Sequence, residues 1–252
     1  MKKTLACAAI SLGLLAAEPA VSQDLETIGS GFRSDWVEDA AQHGIRFFDC
    51  SVVSDERRKL TAEYSAMHYG LETWKLDEPR MIVLHGTATS TLSSTVRIFQ
   101  PLTLGGSRPE LAGAGAVNVS THFVVGRDGA VCQLLPLDMQ GRHAKGVNWT
   151  SFGVEMVSKP DLLITESEAE ATAWLIDRLV GEFGDTLAHV VAHRDMWKLN
   201  DTDFVRTGVD PNYKDRSVDK SDPYADDFDK VRVEVEGDFP EALQGLDSFQ
   251  RL

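Results

Sequence analysis

Three histidines stand at or just beyond the ends of short apolar runs. His85 follows Met81-Ile82-Val83-Leu84, His122 precedes Phe123-Val124-Val125, and His193 closes His189-Val190-Val191-Ala192. At a strand end the scaffold holds the backbone while the side chain reaches a cleft. An imidazole so placed can bind a metal through one ring nitrogen and anchor the other to the protein. Taken singly, any of the seven histidines reads first as an ordinary hydrogen-bonded residue. Glu155 lies inside Phe152-Gly153-Val154-Glu155-Met156-Val157. A carboxylate turned inward from such a run is costly without a partner or a task, although strand alternation also allows one wet face. Other chemistries lack their signatures. The chain has no His-Glu-x-x-His, no Gly-x-Ser-x-Gly elbow, no Gly-rich phosphate loop after a strand and no Cys-x-x-Cys pair.

The elements that must position these groups are legible between residues 80 and 193. Met81 to Leu84 is a buried-strand pattern, and Ser93 to Gln100 is a short helix stopped by Pro101. Thr121 to Val125 and Ala130 to Leu135 are apolar runs joined by Gly126-Arg127-Asp128-Gly129, a hairpin signal. Phe152 to Val157 and His189 to His193 read as further strands. The clearest helix runs from Glu166 to Phe183. Thr165 and Glu168 form a capping box, Ala169, Ala173, Ile176, Val180 and Phe183 repeat at helical spacing, and Gly184 ends it. Earlier, Glu56 to Tyr69 is charged and helical in pattern. Strands, hairpin and helix alternate irregularly, which predicts an α/β (or α+β) single domain. A mixed central sheet is flanked by helices and preceded by an N-terminal extension.

The 252 residues carry 25 Lys and Arg against 39 Asp and Glu, a net charge of -14. That balance argues against a general nucleic-acid binder and against attachment to anionic lipid by a basic patch. Met1-Lys2-Lys3, an apolar run from Thr4 to Ala17 and small residues at Ala20 and Ser22 read as a signal peptide, cleaved after Ser22. The run is shorter than the about 20 residues that span a bilayer. Export then allows Cys50 and Cys132 to form a disulfide, but their spacing leaves open whether they do.

The segments MIVLHGTAT, STHFVVGRDGAVCQLLP, GRHAKGVNWTSFGVEMV, HVVAHRD and KSDPYADDF occur in this order between Met81 and Phe228. Together they resemble the zinc-dependent N-acetylmuramoyl-L-alanine amidases, a family similar to the phage lysozyme-type amidases and the animal peptidoglycan recognition proteins. The resemblance implies zinc bound by His85, His193 and Asp222, with Glu155 as the catalytic acid and base. It makes Lys220 a helper for the oxyanion. It places His122 and His143 in the substrate groove, with Asn148 and Trp149 beside them; His122 reads equally well as a packing residue, and Trp149 either stacks on sugar or simply packs. Two imidazoles and a carboxylate leave a fourth tetrahedral position open, as catalytic zinc sites do. One departure stands out. The interval from His193 to Asp222 is longer than the family's, by an insert of roughly residues 197–218. The insert holds a second Asp-Pro at Asp210, an alternative third ligand, and reads as a polar surface loop walling or covering the groove.

The implied division is a signal peptide over 1–22, an N-terminal extension over 23–79, an amidase domain over 80–230 and a C-terminal tail over 231–252. The implied reaction is hydrolysis of the amide between N-acetylmuramic acid and L-alanine in peptidoglycan or muropeptides, in the periplasm or outside the cell. No nucleic acid and no integral membrane segment are expected. A non-catalytic peptidoglycan-binding protein and a zinc peptidase acting on the stem peptide are the alternative readings.

Overall fold

The structure is a computed structural model that describes residues 31–76, 78–106, 111, 113–208, 213, 221–244 and 248–249. The signal-peptide segment, Asp210 and Lys220 lie outside the described residues. Among the described residues, seven strands form one mixed sheet: β1 (Phe47–Asp49), β2 (Met81–Gly86), β3 (Phe123–Val125), β4 (Val131–Gln133), β5 (Ser151–Met156), β6 (His189–Ala192) and β7 (Ser248–Phe249). Their order is β1-β4-β3-β5-β2-β6-β7. Every pair is parallel except the β3–β4 hairpin. The helices are α1 (Trp36–Gln42), α2 (Asp55–Tyr69), α3 (Leu92–Phe99), α4 (Glu166–Phe183), α5 (Ala225–Asp238) and α6 (Pro240–Gln244). A 3-10 turn over His193–Leu199 follows β6. Among the described residues, no helix is long and apolar enough to cross a membrane.

Strand alternation divides the side chains between two layers. Ile82, Leu84, Phe152, Val154, Val190 and Ala192 point into the main core with α4, α5 and α1. Met81, Val83 and Val191 point to the opposite face, where they pack with Ala144, Val147, Met196 and Leu199. The segment before residue 80 shares the main core. Trp36 and Phe47 pack with each other and with Phe123 and Trp174, at ring separations of 5.8 to 6.4 Å, and β1 is an edge strand of the sheet. Burying each of these aromatic side chains contributes about 2–3 kcal/mol. The Cys50–Cys132 disulfide ties the chain after β1 to β4 across 82 residues. A bridge closing so long a loop contributes about 2–4 kcal/mol.

α4 begins where its capping box puts it. Thr165 Oγ1 accepts from the Glu168 N–H at 3.1 Å, and the Glu168 carboxylate accepts from the Thr165 N–H at 3.0 Å. At the other end Gly184 stays right-handed (φ -54°), so the helix ends without a left-handed glycine cap. Both faces are occupied: Ala171, Thr172, Trp174, Leu175 and Leu179 are buried as well as the expected stripe, because α5 and α1 cover what the sheet does not.

Glu168 has no exposed surface. Burial pushes its carboxyl up to about 7, against the pull of the Thr165 N–H and the Arg127 charge. Burial pushes Asp227, on α5, in the same direction. From the ordinary value of 4.5 up to about 7, the folded chain binds more protons at Glu168 than the unfolded chain. Stability from this group is therefore present below that window and is lost as pH rises through it. Glu168→Gln keeps the acceptor for the Thr165 N–H. It is expected to lose about 1–2 kcal/mol less stability than the parent between pH 4.5 and pH 8, once solvent screening is allowed for. Urea midpoints at both pH values check this; a variant as pH-sensitive as the parent contradicts it.

Candidate metal and catalytic site

The alternation that sends Ile82 and Leu84 to the core turns His85 to the opposite face. In β5 it turns Gly153 and Glu155 the same way. The parallel register sets His85 beside Glu155 and Leu84 beside Ala192. His193, one residue past β6, thereby arrives next to His85 at the carboxyl ends of the strands, where open α/β sheets hold their ligands. Asp222 comes from the turn before α5, and its carbonyl accepts from the Arg194 N–H at 2.8 Å. Gly86 leaves room for Ser158: a Cβ there would lie 2.7 Å from Ser158 Oγ, with Asp222 Cβ in ordinary contact at 3.5 Å.

Three side-chain atoms converge. His193 Nδ1 lies 2.9 Å from both His85 Nδ1 and Asp222 Oδ2, and His85 Nδ1 lies 3.6 Å from the same oxygen. Ligands of a tetrahedral ion with bonds near 2.0–2.1 Å lie about 3.3 Å apart, so the donor set fits a zinc-sized cation. Two imidazole nitrogens at this distance attract only with a proton or a cation between them. Burial opposes ionisation of Asp222, but its hydrogen bonds with His193 and His85 outweigh that and hold the carboxyl well below the usual range. Among the described residues, these three form the one group of His, Cys, Asp or Glu side chains placed to hold a metal ion.

They line a cavity of about 220 Å³ together with Glu155 and His143. Its far wall comes from the β2–α3 loop and α3: Thr87 and Thr95 supply hydroxyls, and Ile98 and Phe99 supply apolar surface. That wall was not singled out from the sequence. The apolar spacing of the short helix over Ser93 to Gln100 was the available signal.

His143 meets the site from the side. Its Nδ1 lies 3.1 Å from His85 Nε2, and its Nε2 lies 3.4 Å from the Ser151 carbonyl. If His85 presents its Nδ1 lone pair to a cation, its Nε2–H donates to His143 Nδ1, and His143 Nε2–H points to Ser151. Burial first, then the neighbouring His85, His122 and His193, hold His143 well below the ordinary histidine value, so it is neutral. Gly153 leaves room for this ring: a Cβ there would lie 2.7 Å from His143 Cγ.

The other residues expected at the substrate are placed elsewhere, and none of them lines the cavity. His122 is fully buried; its Nε2–H donates to the Met139 carbonyl at 2.8 Å and its Nδ1 accepts from the Gly153 N–H at 3.1 Å. Burial lowers its pKa to about 4. Asn148 is 1% exposed and spends its amide on His143, Ala144, Tyr64 and Tyr69. Trp149 donates to the Gly146 and Phe204 carbonyls, with the Arg206 guanidinium 3.8 Å above its ring. A polar side chain spent inside the protein and one facing a ligand look alike in sequence. The described part of the insert also departs from expectation. Leu199, Phe204 and Val205 pack against Met81, Val83 and Val191, and no described insert residue lines the cavity.

The sequence model of the N-acetylmuramoyl-L-alanine amidases matches residues 75–210, more than half of the chain. The chain belongs to the N-acetylmuramoyl-L-alanine amidase family. The matched stretch holds His85, Glu155 and His193, and Asp222 joins this cluster from beyond it. Solved structures that match part of the chain include the amidase LysC from Clostridium intestinale, 22% identical over 47% of this chain and 72% of that one, with a TM-score of 0.38. A crystal structure of AmpD is 23% identical over 46% and 72%, with a TM-score of 0.38. Peptidoglycan recognition protein-LE in complex with tracheal cytotoxin is 20% identical over 54% and 81%, with a TM-score of 0.40. At such scores family membership rests on the sequence match alone. No curated protein matches the chain.

Proposed function

We propose that the chain hydrolyses the amide bond between the lactyl group of N-acetylmuramic acid and L-alanine of the stem peptide. The site would hold one zinc ion through His85 Nδ1, His193 Nδ1 and Asp222 Oδ2. The observation that carries this reading is the convergence of those three atoms in a family member, with Glu155 in register beside His85. Zinc held there would supply Lewis acidity and acidify the attacking water.

The chain's own residues do the rest. Glu155, half-buried at the cavity wall, takes a proton from the attacking water and delivers it to the departing nitrogen. His143 fixes the tautomer of His85. Ile98 and Phe99 give the substrate an apolar wall, with Thr87 and Thr95 as hydrogen-bonding partners for its amides or hydroxyls. Lys220, two residues before Asp222, would lend its charge to the oxyanion. The leader-like N-terminus and the Cys50–Cys132 disulfide support action in the periplasm or outside the cell.

Labelling the amines released from digested peptidoglycan tests the reading. Alanine should be the newly exposed N-terminal residue. A different new N-terminus would identify a peptidase, and no new amine would identify a binder.

A further inference from the structure

The insert between His193 and Asp222 reaches the site by an indirect route. The Arg206 N–H donates to the Gly146 carbonyl at 2.9 Å, Trp149 donates to the Phe204 carbonyl at 3.0 Å, and Arg206 lies over the Trp149 ring. Further along, Tyr213 stacks on His68 of α2 at 3.5 Å between ring centroids. Its hydroxyl meets that of Tyr64, which lies 3.3 Å from the Tyr69 hydroxyl. These three phenols are buried, and burial raises the pKa of Tyr64 and Tyr69, which keeps both protonated.

Asn148 sits on this cluster with all four of its hydrogen bonds made. Nδ2 donates to the Tyr64 and Tyr69 oxygens, each at 3.0 Å. Oδ1 accepts from the N–H groups of His143 at 2.9 Å and Ala144 at 2.8 Å. Backbone N–H groups only donate, so those of His143 and Ala144 turn Oδ1 toward themselves, and the phenol oxygens accept from Nδ2 and hold the other end of the amide in place. Facing this way, it fixes the backbone that carries His143, whose ring accepts from His85.

We propose that the described part of the insert is a clasp. Tyr213, with Tyr64 and Tyr69 of α2, are positioning residues that act through Asn148 and His143 to hold His85 in the orientation zinc requires. This rests on the zinc reading above. Outer partners of a metal-binding histidine typically contribute about 10- to 100-fold in affinity.

The test uses the full mature chain with Tyr213→Ala and with Tyr213→Phe, which keeps the stack on His68 and loses the hydroxyl. Zinc affinity is read by competition with a chromogenic chelator, and the His85 and His143 ring signals by nitrogen–proton NMR of the zinc-free protein. Tyr213→Ala is expected to weaken zinc about tenfold or more, shift both rings' signals and lower kcat with KM within about twofold. Tyr213→Phe should shift the same signals and weaken zinc by less; it carries the test if the alanine variant does not fold. Parental zinc affinity and ring signals in the folded variants would overturn the clasp, even if the melting temperature fell. Both readouts are taken without substrate. A parent that binds zinc but releases no amine would remove the amidase reading and leave these measurements decisive for the clasp.

Discussion

Glu155→Gln is expected to keep its fold and its zinc and to lose about a hundred- to ten-thousand-fold in turnover. Glutamine matches glutamate in size and can occupy the same place beside His85 in β5. It cannot accept the proton from water or return it to the leaving nitrogen. The loss should fall on kcat, because the apolar surface proposed to receive substrate, Ile98 and Phe99 of α3, is untouched by the substitution. Steady-state kinetics on a defined muropeptide, with zinc content measured on the same sample, checks this. Turnover within about tenfold of the parent would remove Glu155 from the proton transfers.

The second large effect is on the metal. The parent is expected to hold one zinc per chain, and the His85→Ala, His193→Ala double variant none, because two of the three converging donors are gone. Asp222→Ala is expected to lose zinc, whereas Asp210→Ala should keep it, since Asp222 Oδ2 lies 2.9 Å from His193 Nδ1. Metal analysis after gel filtration in chelator-treated buffer reads both. Zinc kept by Asp222→Ala and lost by Asp210→Ala would move the third ligand into the insert.

Local signals in the sequence translated directly into structure. The Thr165–Glu168 capping box starts α4, and Asp128-Gly129 turns the β3–β4 hairpin, because each depends on residues within one turn of chain. The meeting of His85, His193 and Asp222 was legible only through the resemblance, since 108 and 29 residues separate them and the parallel register aligns them. His122, Asn148 and Trp149 show the limit of that route. They sit in family-like segments, yet their polar atoms are spent on Met139, Gly153, Tyr64, Tyr69, Gly146 and Phe204. The insert was read in part. Its Asp and Thr residues suggested a solvated loop, and Asp201, Thr202 and Asp203 are exposed, but composition gave no sign that Phe204, Val205 and Tyr213 anchor its described part. The disulfide depended on where β1 edges the sheet, because pairing β1 with β4 brings the Cys50 and Cys132 Cα atoms to 5.5 Å.

The most direct measurement of the central claim is mass spectrometry of a defined muropeptide digested in water enriched in oxygen-18, with and without a zinc chelator. Hydrolysis at the lactyl–alanine amide places one heavy oxygen in the lactyl carboxylate and none in the released peptide, whose new N-terminus is L-alanine. The chelated sample should give neither product. Heavy oxygen in a peptide carboxylate, with the sugar still joined to alanine, would contradict the account.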